Sequence, residues 1–136
     1  MKIKEFYGLV LMCIVLCLTG CSVEKADKNK IRDLKFQVIE DSQIPEELQI
    51  LIEEEKSQEF KMTFDTVEGK YIAVGYGVQE TGGYSIAIKE LYETENAIYI
   101  NTNLIGPAKG EQVAEAKSFP YIIVKVEYLD KSVVFE

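Results

Sequence analysis

The chain has 136 residues, with 15 basic and 23 acidic side chains, no histidine and no tryptophan, and 47% of it is apolar. That length and apolar share suit one compact domain with its own core and exclude global disorder. The formal charge of −8 argues against nucleic acid as a partner, because phosphate binding needs clustered Lys and Arg. Without imidazole there is no Ser-His-Asp engine and no His-bound zinc.

Residues 1–20 read as an export signal. Lys2 and Lys4 make a basic start, and residues 6–18 are an uncharged, largely apolar run. The run is too short to span a bilayer, which takes roughly 20 helical residues, and has the length of a signal-peptide core. The string Leu18-Thr19-Gly20-Cys21 follows it and resembles the lipobox of bacterial lipoproteins. The resemblance implies that Cys21 becomes the first mature residue and carries a diacylglycerol thioether. Each buried methylene contributes about 0.8 kcal/mol, so two or three acyl chains hold a protein stably on a membrane. The expected location is extracytoplasmic, anchored to the cell membrane through Cys21.

Cleavage there removes Lys2, Lys4 and Glu5 and takes the formal charge from −8 to −9. Cys13 and Cys17 also leave, so Cys21 is the one remaining cysteine. No internal disulfide, thiol nucleophile or Cys-rich metal site is then expected, and no cofactor. The apolar core alone must hold the fold.

Residues 21–33 read as a polar, charged tether. Residues 34–64 read as a strand-helix-strand lead-in that packs on a β domain of residues 65–136. Within the lead-in, residues 36–39 suggest a short strand with Phe36 and Val38 on one face. Pro45 suits the first position of a helix reaching about residue 57, and Glu46 and Glu47 complement its positive end. Ile44, Leu48, Leu51 and Ile52 share a helical face and Ile50 lies off it. Glu53-Glu54-Glu55 reads as a solvated run.

From Glu59 the period changes to two. Phe60, Met62 and Phe64 alternate with polar residues, Gly69 marks a turn, and residues 71–78 form a second strand. Tyr84, Ile86 and Ile88 alternate next, then residues 97–104 after a turn at Glu95-Asn96. Residues 105–118 read as loop, residues 121–128 as strand, and residues 133–135 as a closing strand after Asp130-Lys131. The expected fold is mainly β, an antiparallel sandwich or barrel-like sheet with one amphipathic helix.

Three loop segments carry the candidate contact residues. Gly82 and Gly83 permit positive φ or close approach by another backbone, with Thr81 and Tyr84 beside them. The pair is either a contact loop or a plain turn, and Tyr84 shares the face of Ile86 and Ile88. Pro107 lies in the long loop. Pro120 can start an edge strand, and Phe119 and Tyr121 flank it as binding groups or as core. The seven tyrosines of the mature chain could equally form a binding face or ordinary sheet surface. No carboxylate pair, phosphate loop or Ca²⁺ loop is spaced for chemistry, so the chain reads as a non-enzyme.

The string Glu80-Thr81-Gly82-Gly83-Tyr84-Ser85-Ile86, then Gly106-Pro107-Ala108, then Ser118-Phe119-Pro120-Tyr121 leading into alternating aliphatics, resembles the C-terminal domain of the PrcB family. The resemblance runs from about residue 71 to 135. It implies an accessory subunit that associates with an exported or envelope protease and stabilises or tethers it. Thr81-Gly82-Gly83-Tyr84 and Phe119-Pro120-Tyr121 also bear a looser similarity to the loops of chagasin-like protease inhibitors. This chain has no Asn-Pro before Thr81, no Arg before Pro120 and no Trp. Inhibition is therefore one alternative, and a ligand- or glycan-binding envelope module is another. The expected contact residues are Thr81, Gly82, Gly83, Tyr84, Pro107, Phe119, Pro120 and Tyr121.

Overall fold

The computed structural model describes residues 29–136; the signal segment, Cys21 and most of the tether lie outside the described residues. Eight strands run in chain order as β1 (Arg32–Asp33), β2 (Gln37–Val38), β3 (Glu59–Thr66), β4 (Gly69–Tyr76), β5 (Ser85–Glu93), β6 (Ala97–Ile105), β7 (Tyr121–Val126) and β8 (Ser132–Phe135). One α-helix among the described residues, α1 (Glu46–Glu55), lies between β2 and β3. The strands form two four-stranded sheets, ordered β1-β5-β6-β8 and β2-β7-β4-β3. The fold is a mainly β sandwich, as its alternation predicts, and it is not a closed barrel.

Two cores separate three layers. Ile72 of β4, Val124 and Val126 of β7, Leu91 of β5, and Ile98 and Ile100 of β6 meet between the sheets. On the opposite face of the second sheet, Tyr71, Ala73 and Ile123 pack against Ile44, Leu48 and Ile52 of the helical segment. β4 is thus covered on both sides and reads as a continuous apolar run rather than an alternating one. Full burial of Leu48 or Ile52 contributes about 1.5–3 kcal/mol each.

The helix buries a narrower stripe than the periodicity suggests. Pro45 stands one position earlier than expected, as the N-cap, and Glu46 and Glu47 occupy the first turn, where they complement the dipole. Ile44, Leu48 and Ile52, spaced by four, turn inward, while Leu51 remains 42% exposed. The sheet beneath meets only one side of the helix, so the fourth apolar position falls off its edge. At β2 the expected buried face is instead the exposed one. Phe36 and Val38 are exposed and the neighbouring Ile39 is buried, because Ile39 is the residue that faces the helix core.

The end of the expected tether is folded. Arg32 and Asp33 pair with Glu93 and Tyr92 of β5, so residues 31–33 are an edge of the sandwich rather than a linker. β3 and β4 form a continuous eight-residue hairpin ladder, which joins the lead-in and the β domain into one sheet. The closing strand β8 crosses to the first sheet and runs parallel to β6. It is the one parallel pair among the described strands.

A bulge keeps β5 in phase. Ile88 opposes Thr102 and Glu90 opposes Asn101, so Lys89 is the extra residue. Without it Ile88 and Leu91, three apart, would face opposite sides. With it both join the inter-sheet core.

Candidate functional site

The chain leaves β4 at Tyr76 and reaches β5 at Ser85 through residues 77–84. The long connection from β6 to β7, residues 106–120, lies beside it. Main-chain bonds lock the two together: Gln79 and Ser118 exchange N–H to carbonyl bonds of 2.9 and 3.0 Å, and Gly82 N–H donates to the Ala114 carbonyl at 2.9 Å. The Ser118 hydroxyl donates to the Thr81 carbonyl at 2.7 Å.

Gly83 adopts φ +87°, in the left-handed region where a side chain is disfavoured. A Cβ there would lie 2.4 Å from Val113 Cγ1 and 3.1 Å from Pro107 Cβ. Gly82 is different, since a Cβ on it would rest 3.6 Å from Ala114 in ordinary contact. Close approach by another backbone, expected from the glycine pair, is supplied by the chain's own residue 114. Tyr84 is half-buried, and its ring lies over Gly106, whose Cβ would meet it at 3.4 Å. Thr81, Gly82, Gly83, Tyr84 and Pro107 therefore form one interlocked pole of the sandwich.

Phe119, Pro120 and Tyr121 begin beside this pole, but their aromatic rings turn toward the helix. Lys56 Nζ sits 5.3 Å from the Phe119 ring centroid. The Tyr121 hydroxyl donates to Asp41 Oδ1 at 3.0 Å, and its ring lies 6.4 Å from that of Phe60. Burial, then the bond and negative charge of Asp41, push the Tyr121 phenol up to about 12. The Pro120 carbonyl accepts from Tyr76 N–H at 3.0 Å, so this proline starts β7 at its paired end. An inhibitor-like arrangement would present Phe119 and Tyr121 alongside Thr81; here their rings serve the helix side.

Val113 and Ala114, which no sequence motif marks, and Ser118, which belongs to the family-like string but not to the expected contact residues, complete the pole. The signal available was Val113, a β-branched apolar residue inside a polar stretch. The tyrosines are dispersed. The cleft between β3 and β8 is lined by Tyr76 alone among them, and the hollow at the β3–β4 turn by Tyr128.

Fold and pole together define a β-sandwich with one helix-covered face and one end built of interlocked loops, an arrangement suited to contact. Residues 70–127 match the PrcB C-terminal family model, in agreement with the resemblance carried by the loop strings. The matched segment comprises β4, β5, β6 and β7, the two central strands of each sheet. β1, β2, β3 and β8, outside or at the border of it, are the four edges. No curated protein and no solved structure matches the chain.

Proposed function

We propose that this chain is a lipid-anchored, non-catalytic subunit that binds an exported protease and stabilises or tethers it at the cell surface. The observation that carries the reading is the match of residues 70–127 to the PrcB C-terminal family. Two features support it. The string ending in Cys21 follows a signal-like run, and the pole at Thr81, Gly82, Gly83 and Pro107 is rigidly pinned by four hydrogen bonds to residues 114 and 118. A pre-ordered loop surface loses little entropy on binding.

The test isolates the tagged, detergent-solubilised chain from its own cells and assays the eluate for cleavage of a fluorescently labelled protein substrate. An active protease should co-purify. The Gly82→Arg variant, which has room at Cβ, should lose that protease while keeping its melting temperature. Recovery of the chain without any protease activity overturns the reading, and slowed cleavage of a protease substrate by added chain turns it toward inhibition.

A further inference from the structure

The two poles of the sandwich differ in charge and in apolar exposure. Opposite the interlocked loops lie β1, the β3–β4 and β5–β6 turns, the end of β7 and the start of β8. Arg32 Nη2 bonds Glu127 across the sheets at 2.6 Å, and Lys131 Nζ bonds Glu93 at 2.6 Å. These contacts, with the pairing of Lys70 against Val126 and of Lys125 with Glu68, place residues 29–36, 65–70, 93–96 and 125–132 at one end. That end holds six cations, Lys30, Arg32, Lys35, Lys70, Lys125 and Lys131, against seven carboxylates. The rest of the described chain holds five cations against thirteen carboxylates. Nearly all the acid excess is therefore kept away from this end. Ile31, Phe36 and Tyr128 are exposed there, and Val67 at the turn is wholly exposed.

We propose that this end is a membrane-docking surface, with exposed Val67 and Tyr128 reaching the phospholipid interface, and that it holds the Thr81–Pro107 pole outward. The inference rests on the lipid-anchor reading of Cys21. The chain enters the fold at this end, since β1 starts at Arg32. Eight residues from Cys21 to the first described residue span at most about 29 Å. β5 alone, nine residues long, covers about 30 Å from one end to the other. An inverted domain would thus stretch the tether to its limit and press its acidic end against a negative surface, which repels it. The upright domain does neither, and it places an exposed Val and Tyr where amphipathic and apolar groups are favoured.

Absence of tryptophan from the chain makes a clean test. The chain from Cys21 onward is coupled through that thiol to a maleimide lipid in vesicles of phosphatidylglycerol and brominated phosphatidylcholine. The Val67→Trp variant should lose emission and shift to the blue, whereas the Lys109→Trp variant, on the loop of the opposite end, should do neither. Replacing phosphatidylglycerol by neutral lipid should leave the quenching of Val67→Trp in place, because this end is nearly neutral. Equal quenching of the two variants, or stronger quenching of Lys109→Trp, overturns the inference. Chemical coupling makes this outcome independent of native lipidation. The anchor reading fails separately if cells fed a clickable fatty acid label the parent chain no more than the Cys21→Ser chain.

Discussion

The Phe60 ring lies across Gly75, its cross-strand partner in β3 and β4. A Cβ on residue 75 would fall 2.1 Å from Phe60 Cε1, so the glycine is required by the ring rather than by a turn. Gly75→Ala should therefore force the ring out of its place and destabilise the domain by about 1–3 kcal/mol, the usual cost of overpacking. Denaturant melts would show a lower midpoint at unchanged slope. Phe60→Leu added to Gly75→Ala should recover part of the loss, because the obstructing ring edge is gone. A full additive loss in the double variant would contradict this packing.

Glu93 ties both edges of its sheet to the centre. Its carboxylate accepts from Lys131 Nζ at 2.6 Å and Arg32 Nε at 2.7 Å, with its side chain 10% exposed. The bonds from Lys131 and then Arg32 hold its pKa below the ordinary 4.5. A depressed carboxylate pKa stabilises the fold at pH values above the unfolded value, and that stability is lost as pH falls below it. Acidification through about pH 4.5 should therefore weaken the domain progressively. Glu93→Gln should be less stable at neutral pH and show a shallower acid limb in pH-dependent melts.

The alternation of β3 and the Ile44, Leu48, Ile52 stripe were legible because one face of each meets a core. Other features depend on residues distant in sequence. Arg32 looks like tether until Glu93, 61 residues later, accepts its bond. The Lys89 bulge answers a register set by β6. The segment 129–131 looks like a hairpin turn, yet Lys131 bonds Glu93 and the Thr94 carbonyl and carries the chain across to the other sheet. At the candidate pole the glycine pair was visible, while its contacts with Val113 and Ala114 come from a loop with no period to read. Phe119 and Tyr121 were recognisable as large contact groups, but Lys56 and Asp41 decide which way they point.

Tyr92 and Tyr121 should titrate apart from an ordinary phenol. Burial, then a bond to Glu136, raises Tyr92 to about 12, and burial, then Asp41, does the same for Tyr121. A raised pKa means the folded state keeps its proton. The associated stability is intact below the unfolded value near 10 and is lost as pH rises toward 12. Difference absorbance of the phenolate should show a late-titrating class of tyrosines. Asp41→Asn should bring one member of that class part of the way down, because the negative charge is removed while burial remains.

The two adjacent glycines of the loop pole should respond differently to the same substitution. Gly83→Ala meets both a positive φ and Val113 Cγ1 at 2.4 Å. The backbone strain alone costs about 1–2 kcal/mol, so its melting temperature should fall. Gly82→Ala meets Ala114 only at 3.6 Å and should melt close to the parent. If the strain at residue 83 is relieved by opening the pole, hydrogen exchange should quicken at the amides of Gly82, Gln79 and Ser118, whose bonds join the two loops. The β4 and β7 amides should stay protected. The companion change Val113→Ala removes the nearest obstruction and should restore part of the stability of Gly83→Ala, leaving the cost of the backbone conformation behind.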